Sequence, residues 1–138
     1  MTRIEQKFKE LRKAGKKAFI AFITAGYPNL ALTEKLILEF DKIGVDILEL
    51  GVPFSDPMAD GPVIQEASQA ALKHKVNLND ILRLVKTVRK TIQIPICLMT
   101  YYNPVFCFGE KKFVQQAKSS GVDGVIIPDL PAEEGRFL

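Results

Sequence analysis

The sequence is poor in the residues that build metal and disulfide sites, with one histidine and two cysteines. Cys97 and Cys107 lack a CxxC partner, so neither a metal site nor a disulfide is predicted. No stretch approaches the roughly 18 apolar residues that cross a membrane, and the charged N-terminal segment does not have the pattern of a signal or transit peptide. We therefore expect a cytoplasmic protein with reduced cysteines and no membrane contact.

An excess of charge of one sign is also lacking. The net charge is only +3, and the lysines and arginines are spread along the chain, which argues against a nucleic-acid partner. Of the 138 residues, 47% are hydrophobic and 25% are charged, the composition of an ordinary globular domain. These values predict a single domain over residues 1–138.

Four short runs are almost continuously apolar, which is typical of buried parallel strands. They are AFIAFIT (18–24), VDILELG (45–51), IPICLMTYY (94–102) and GVIIPDL (124–130). The repeat of GVDILELGVPFSDP (44–57) as GVDGVIIPDLPAEE (121–134) places a glycine before two of the strands and a Pro/Asp-rich loop after them. The order predicts parallel strands joined by helical crossovers.

Helical periodicity fills the segments between these runs. Thr2 and Glu5 have the spacing of a capping box at the start of an N-terminal helix, which Gly15 can end. Further apolar stripes run from Leu32 to Ile43, from Leu78 to Val88 and from Phe113 to Ala117. The segment between the second and third strands holds two helical patterns, 62–75 and 78–90, so one helix is additional to a simple crossover.

Two architectures fit four βα units that follow an N-terminal helix. One is an open doubly wound sheet, and the other is the first half of a (β/α)8 TIM barrel, whose full form needs about 250 residues. No G-x-G-x-x-G or P-loop motif follows any strand, which removes the usual nucleotide signature of the first. The sequence stops a few residues after the fourth predicted strand, as expected of a chain truncated after strand four, and both architectures remain open at this point. Both architectures place functional groups at the carboxyl ends of the strands.

Glu49 interrupts the apolar run of the second predicted strand. By strand alternation it shares a face with Val45 and Ile47. Loss of hydration there would raise its pKa toward neutrality, as general acid-base catalysis requires. The alternative is a glutamate paired with a buried base, but no lysine or arginine occurs in the four strand runs. The sequence therefore favours a proton-transferring role for Glu49.

Three further residues keep open alternatives at this point. Asp60 precedes Gly61 and Pro62 at the start of a helical pattern, where it could be either an N-cap or a catalytic group. Asp56 precedes Pro57 in a loop, where turn chemistry is the favoured explanation. Tyr101, at a strand end, fits both pocket lining and loop packing.

Several of these segments together resemble one family. The run LELGVPFSDPMADGPVIQ (48–65) is similar to the signature of the tryptophan synthase alpha chain. The match extends to FITAGYP (22–28), LMTYYNPVF (98–106) and GVDGVIIPDLPAEE (121–134). The resemblance covers essentially the whole sequence and implies the N-terminal half of that family's barrel.

The resemblance implies a lyase of tryptophan biosynthesis, the aromatic amino-acid pathway in which indole-3-glycerol phosphate is cleaved to indole and glyceraldehyde 3-phosphate. The family's acid-base glutamate falls on Glu49, and its second carboxylate, which holds the indole N–H, falls on Asp60. The resemblance also implies a set of substrate-binding residues: Phe22, Ile64, Tyr101, Ile126 and Asp129. It implies no cofactor in this chain, because pyridoxal phosphate belongs to the beta subunit.

The resemblance also implies an alpha2beta2 complex with the tryptophan synthase beta chain. The residues expected to contact that partner are Pro53, Phe54, Ser55, Asp56 and Pro57. In such barrels the phosphate is gripped by loops after strands seven and eight, which these 138 residues do not contain. We therefore expect this chain alone to be inactive or very weak, and its open sheet edges to favour self-association. The alternative is a non-enzymatic half-barrel module that folds or self-associates and retains the motif without turnover.

Overall fold

The computed structural model describes residues 1–137, in which one parallel sheet is flanked by helices. The strands are β1 (Ile20–Thr24), β2 (Ile47–Gly51), β3 (Ile96–Met99) and β4 (Gly124–Ile126). The helices are α1 (Arg3–Lys13), α2 (Leu30–Ile43), α3 (Pro62–Lys73), α4 (Leu78–Val88), α5 (Tyr102–Phe108) and α6 (Glu110–Ser120), followed by a 3-10 turn at Gly135–Phe137. Every helix in residues 1–137 is too short or too polar to span a membrane.

The sheet has the strand order β1-β2-β3-β4, with every pair parallel. A doubly wound sheet reverses its strand order at a switch point, and no reversal occurs among these four strands. Sequential parallel pairing is instead the arrangement of a (β/α)8 barrel. Within residues 1–137, β1 and β4 are the two edges of the sheet, as the half-barrel prediction requires.

The helical boundaries follow the capping signals in the sequence. The Thr2 capping box is present at the start of α1, and α2 and α6 end at Gly44 and Gly121, which both adopt the left-handed conformation. Asn77 and Asp80 form a second capping box at the start of α4. The predicted crossover with two helices is confirmed as α3 and α4.

The apolar stripe predicted for α2 is buried only in part. Thr33 and Ile37 are the residues of α2 with no exposed surface, whereas Leu32 and Ile43 are exposed. The third apolar run is also shorter as a strand than predicted, because β3 ends at Met99 and Tyr102 already begins α5. Pro104 lies in the first turn of this short helix, where the absence of an N–H breaks no helical hydrogen bond.

The core lies between the sheet and the helices. Leu48, Leu50, Ile96 and Leu98 point from the two central strands toward α2, α4 and α6 and are fully buried. Residues at the alternate positions of the same strands point to the opposite face, which we call the inner face because a closed barrel would enclose it. The inner face is where the chemically reactive side chains lie.

The aspartates of the two Gly-Val-Asp sequences make the same pair of hydrogen bonds at the amino ends of the strands. The carboxylate of Asp46 accepts a hydrogen bond of 2.9 Å from the Phe19 N–H, and the Asp46 N–H donates to the Phe19 carbonyl at 3.0 Å. Asp123 makes the same two contacts with Ile96, both at 2.9 Å. Each aspartate therefore fixes the start of one strand against its neighbour.

Asp123 is also the centre of an ionic cluster in which its own carboxylate and Arg89 are buried and Arg3 is exposed. Its carboxylate, 4% exposed, pairs with Arg89, which is 8% exposed, and with Arg3 of α1 at 2.9 Å. The Arg89 guanidinium also donates to the carbonyls of Gly121 and Ile94. Lys7, one turn after Arg3, lies 3.8 Å from Asp46. Helix α1 thereby crosses the amino ends of the strands, the side of such barrels that serves stability.

Candidate active site

The strand register brings one row of side chains together on the inner face. Phe22 of β1 pairs with Glu49 of β2, Glu49 with Cys97 of β3, and Cys97 with Gly124 of β4. Partners in a parallel sheet point to the same side, so the aromatic ring, the carboxylate and the thiol share this surface. Ile126 lies on the same face, one pleat nearer the carboxyl end of β4.

Gly51 leaves space for the ring of Phe22. A Cβ atom at Gly51 would lie 2.6 Å from the Cζ atom of Phe22, closer than real contacts allow. A glycine inside a strand is a sign of such close approach, and Gly51 is the feature of the sequence that indicates it here. The Phe22 ring therefore lies against β2 at Gly51, on the same face as its register partner Glu49.

Glu49 is half-buried and has no basic partner within residues 1–137, where the ion pairs involve other carboxylates. Glu49 is close enough to Cys97 to affect the pKa of its thiol. Burial, reinforced by the negative charges of Glu49 and Asp123, raises the pKa of Cys97 to about 11. Cys97 is consequently a neutral thiol on the inner face at physiological pH.

Asp60 lies in the loop between β2 and α3 and does not cap the helix. The N-cap residue of α3 is Gly61, and no side chain makes the capping hydrogen bond. The helix-cap alternative for Asp60 was therefore wrong, because the helix begins one residue later than a cap at Asp60 would require. Gln65 instead holds the Asp60 backbone carbonyl at 2.8 Å, and Ile64 is half-buried in the first turn of α3.

Tyr101 supports the loop that leads to Asp60. Its hydroxyl oxygen accepts a hydrogen bond of 2.9 Å from the Ala59 N–H, and its ring centroid lies 5.4 Å from that of Phe54. The side chain of Tyr101 is almost fully buried. The sequence left open whether Tyr101 lines a pocket or packs against a loop, and these contacts are those of loop packing.

Asp129 is tied to the helix that follows β3. Its carboxylate accepts a hydrogen bond of 2.9 Å from the N–H of Tyr102, the first residue of α5. The loop after β4 is thereby attached to the loop after β3 at the carboxyl end of the sheet. The Tyr102 hydroxyl points elsewhere and donates to Glu110 at 2.7 Å.

The residues expected to contact a partner form the start of the loop after β2. Pro53 is buried and Phe54 is half-buried, whereas Ser55 and Asp56 are exposed. The Ser55 hydroxyl donates to the Asp56 carboxylate at 2.6 Å, which is the local turn chemistry expected of this sequence. Met58 follows with 77% of its surface exposed, so the loop presents both polar and apolar groups to solvent.

Four sequential parallel strands joined by helices, with an acidic residue on the inner face, define half of a (β/α)8 barrel, a fold whose functional groups lie at the carboxyl ends of the strands. The family model of the tryptophan synthase alpha chain matches residues 8–138. This chain belongs to the tryptophan synthase alpha chain family.

Individual relatives agree with this assignment. The chain is 58% identical to the tryptophan synthase alpha chain of Geotalea uraniireducens over 134 residues, which are 97% of this chain and 50% of the relative. It is 51% identical to that of Clostridium acetobutylicum over 132 residues, 96% of this chain and 50% of the relative. The chain thus spans about half the length of the curated relatives it matches.

The fold agrees equally well with a solved structure. Tryptophan synthase subunit alpha from Legionella pneumophila str. Paris superimposes with a TM-score of 0.96 at 46% identity, covering 99% of this chain and 53% of that structure. The prediction of the first half of a TIM barrel is therefore confirmed. The second half of the relatives has no counterpart in these 138 residues.

Proposed function

We propose that this chain supplies the acid-base half of a site that cleaves indole-3-glycerol phosphate to indole and glyceraldehyde 3-phosphate. The observation that carries the proposal is the position of Glu49 on the inner face, beside the Phe22 ring and without a basic partner in residues 1–137. An unpaired, half-buried carboxylate beside an aromatic surface suits proton transfer to an aromatic substrate.

The reaction is a reversed aldol cleavage. Glu49 donates a proton to the indole ring carbon that carries the glycerol chain, which gives an indolenine with positive charge at nitrogen. The Asp60 carboxylate accepts a hydrogen bond from the indole N–H and stabilises the positive charge. Removal of the proton from the adjacent glycerol hydroxyl by Glu49 forms the aldehyde as the carbon–carbon bond breaks, and the bonding electrons return to the ring. No cofactor takes part in these steps.

Phe22, Ile64 and Ile126 provide apolar surface for the indole ring. The phosphate has no assigned anchor here, since such barrels bind phosphate after strands seven and eight. Remote binding energy positions the reacting atoms in an enzyme, so the chain alone should have little or no activity. In the complete assembly the loop from Pro53 to Pro57, which is exposed at Ser55 and Asp56, would meet the beta chain, which holds the pyridoxal phosphate.

The test is indole release from indole-3-glycerol phosphate. The chain alone is compared with a fusion in which residues 1–130 are joined to the second half of the Geotalea uraniireducens alpha chain. We expect activity in the fusion only, and a large loss in its Asp60→Asn variant without a change in melting temperature, because Asp60 does not cap α3. A folded fusion that releases no indole would contradict the proposal.

The two open edges of the sheet favour a second candidate, self-association of half barrels. Phe19 before β1 and Ile20 at its start are exposed, as are Val125 and Ile126 in β4. Unpaired strands with apolar side chains attract further strands, and a second copy could pair its β1 with β4. Sedimentation velocity over a concentration series should show a dimer. A compact monomer that binds no hydrophobic dye would contradict this candidate.

A further inference from the structure

Tyr101 makes both a hydrogen bond and a ring contact with the loop that follows β2. This loop, residues 53–60, runs from the end of the strand that carries Glu49 to Asp60. Its centre is largely exposed, with Met58 at 77%, yet Phe54 near its start and Ala59 near its end both contact one side chain. The ring of Phe54 packs on the Tyr101 ring, and the N–H of Ala59 donates to the Tyr101 hydroxyl.

Few other contacts fix this loop. In the part of the chain that the structure describes, no backbone hydrogen bond joins residues 53–60 to the barrel. Besides the bond to Tyr101, one side-chain hydrogen bond reaches the loop from outside, from Gln65 to the Asp60 carbonyl at 2.8 Å. The position of Asp60 is therefore set by Gln65 on one side and, through Ala59, by Tyr101 on the other.

Tyr101 is itself firmly held. Only 2% of its surface is exposed, and it is the N-cap residue of α5, two residues after the carboxyl end of β3. A side chain that is fixed by packing can hold a loop without secondary structure in a constant position relative to the sheet. Its burial leaves little surface for direct contact with a substrate.

We propose that Tyr101 is a positioning residue that holds Asp60 over the inner face through the Ala59 N–H. The proposal rests on the function proposed above for Asp60. It gives Tyr101 a role different from the direct substrate binding that the family resemblance implied. The phenol fixes the loop in the orientation in which the Asp60 carboxylate stabilises the indolenine charge.

The first test uses the 138-residue chain and does not depend on activity. Tyr101→Phe keeps the ring contact with Phe54 and removes the hydrogen-bond acceptor. The amide exchange rate of Ala59, measured by NMR, should rise about fivefold to tenfold, with the amides of β3 unchanged. Tyr102→Phe is the matched control, because it removes the neighbouring hydroxyl, which bonds Glu110 instead. Unchanged exchange at Ala59 in Tyr101→Phe would overturn the proposal.

The second test uses the fusion protein with a complete barrel. Misplacement of a catalytic group can cost about tenfold to a hundredfold in rate, so Tyr101→Phe should lower kcat by this factor with KM and melting temperature little changed. Tyr101→Leu, which also loses the Phe54 contact, should lower kcat further. A looser Ala59 with unchanged kcat would overturn the positioning role. An inactive parent fusion would instead count against the proposed function, while the exchange measurement would still decide whether Tyr101 holds the loop.

Discussion

Glu49→Gln is expected to lower indole release by the complete barrel by about 10² to 10⁴, the usual contribution of general acid-base catalysis. Glutamine has nearly the same shape and can still form hydrogen bonds, but it can neither donate nor accept the proton that the cleavage requires. The loss should fall on kcat, because the proton is transferred in the reaction step and not in binding. A variant that retains the parent rate would show that Glu49 is not the acid-base group.

The same substitution has a consequence that can be measured in the chain without turnover. Since the Glu49 carboxylate helps to raise the pKa of the Cys97 thiol to about 11, Glu49→Gln should lower that pKa. Alkylation of Cys97 followed against pH would detect the shift, with the exposed Cys107 as an internal reference. An unchanged titration of Cys97 would contradict the placement of the two side chains on one face.

The raised pKa also fixes the direction of a pH effect on stability. An unfolded cysteine ionises with a pKa of about 8.5, and folded Cys97 ionises near 11. The folded state therefore holds the proton more tightly, so this contribution to stability is complete below the unfolded pKa. It is lost progressively as pH rises from there to about 11.

Asp123→Asn is expected to produce the largest loss of stability of any substitution considered, about 3 to 5 kcal/mol, because removal of one charge leaves its buried partner uncompensated. Arg89 is only 8% exposed, and its guanidinium would remain in the interior without the carboxylate. Urea unfolding, with the slope unchanged and the midpoint lowered, would measure the effect.

Asp46→Asn provides the matched control for this prediction. Asp46 occupies the same place in the repeated Gly-Val-Asp sequence and makes the same backbone contacts with the neighbouring strand. Its charged partner, Lys7, is 3.8 Å away and its own side chain is 18% exposed, so the loss should be about 1 kcal/mol. Equal losses at the two positions would show that the buried ion pair with Arg89 contributes no more to stability than the pair of Asp46 with Lys7.

Much of the fold could be predicted because apolar runs, capping residues and glycines act locally. The capping box at Thr2, the helix ends at Gly44 and Gly121 and the extra helix before β3 all follow from such signals. Helix α5 was missed because Tyr101 and Tyr102 extend the apolar run 94–102 past the end of β3 at Met99, although Tyr102 already belongs to the helix. Nothing in the local pattern marks the point at which an apolar run changes from strand to helix.

The site was predictable to a similar degree and for a similar reason. Glu49 was conspicuous as an acid in an apolar strand. The register pairs it with Phe22, so the two side chains lie on one face of the sheet. The contacts of Tyr101 with Ala59 and Phe54, and those of Arg89 with Asp123, join residues that are 34 or more positions apart. Such pairs depend on the tertiary arrangement, which periodicity along one chain does not contain.

Helix α1 has a consequence for the order in which the chain folds. None of its residues is buried, and its ion pair between Arg3 and Asp123 joins positions 120 residues apart. Since loop closure over such a distance gains nothing until the intervening strands have paired, α1 should dock last. It should also detach first, which makes the helix nearest the start of the chain the one that reports the completion of the sheet.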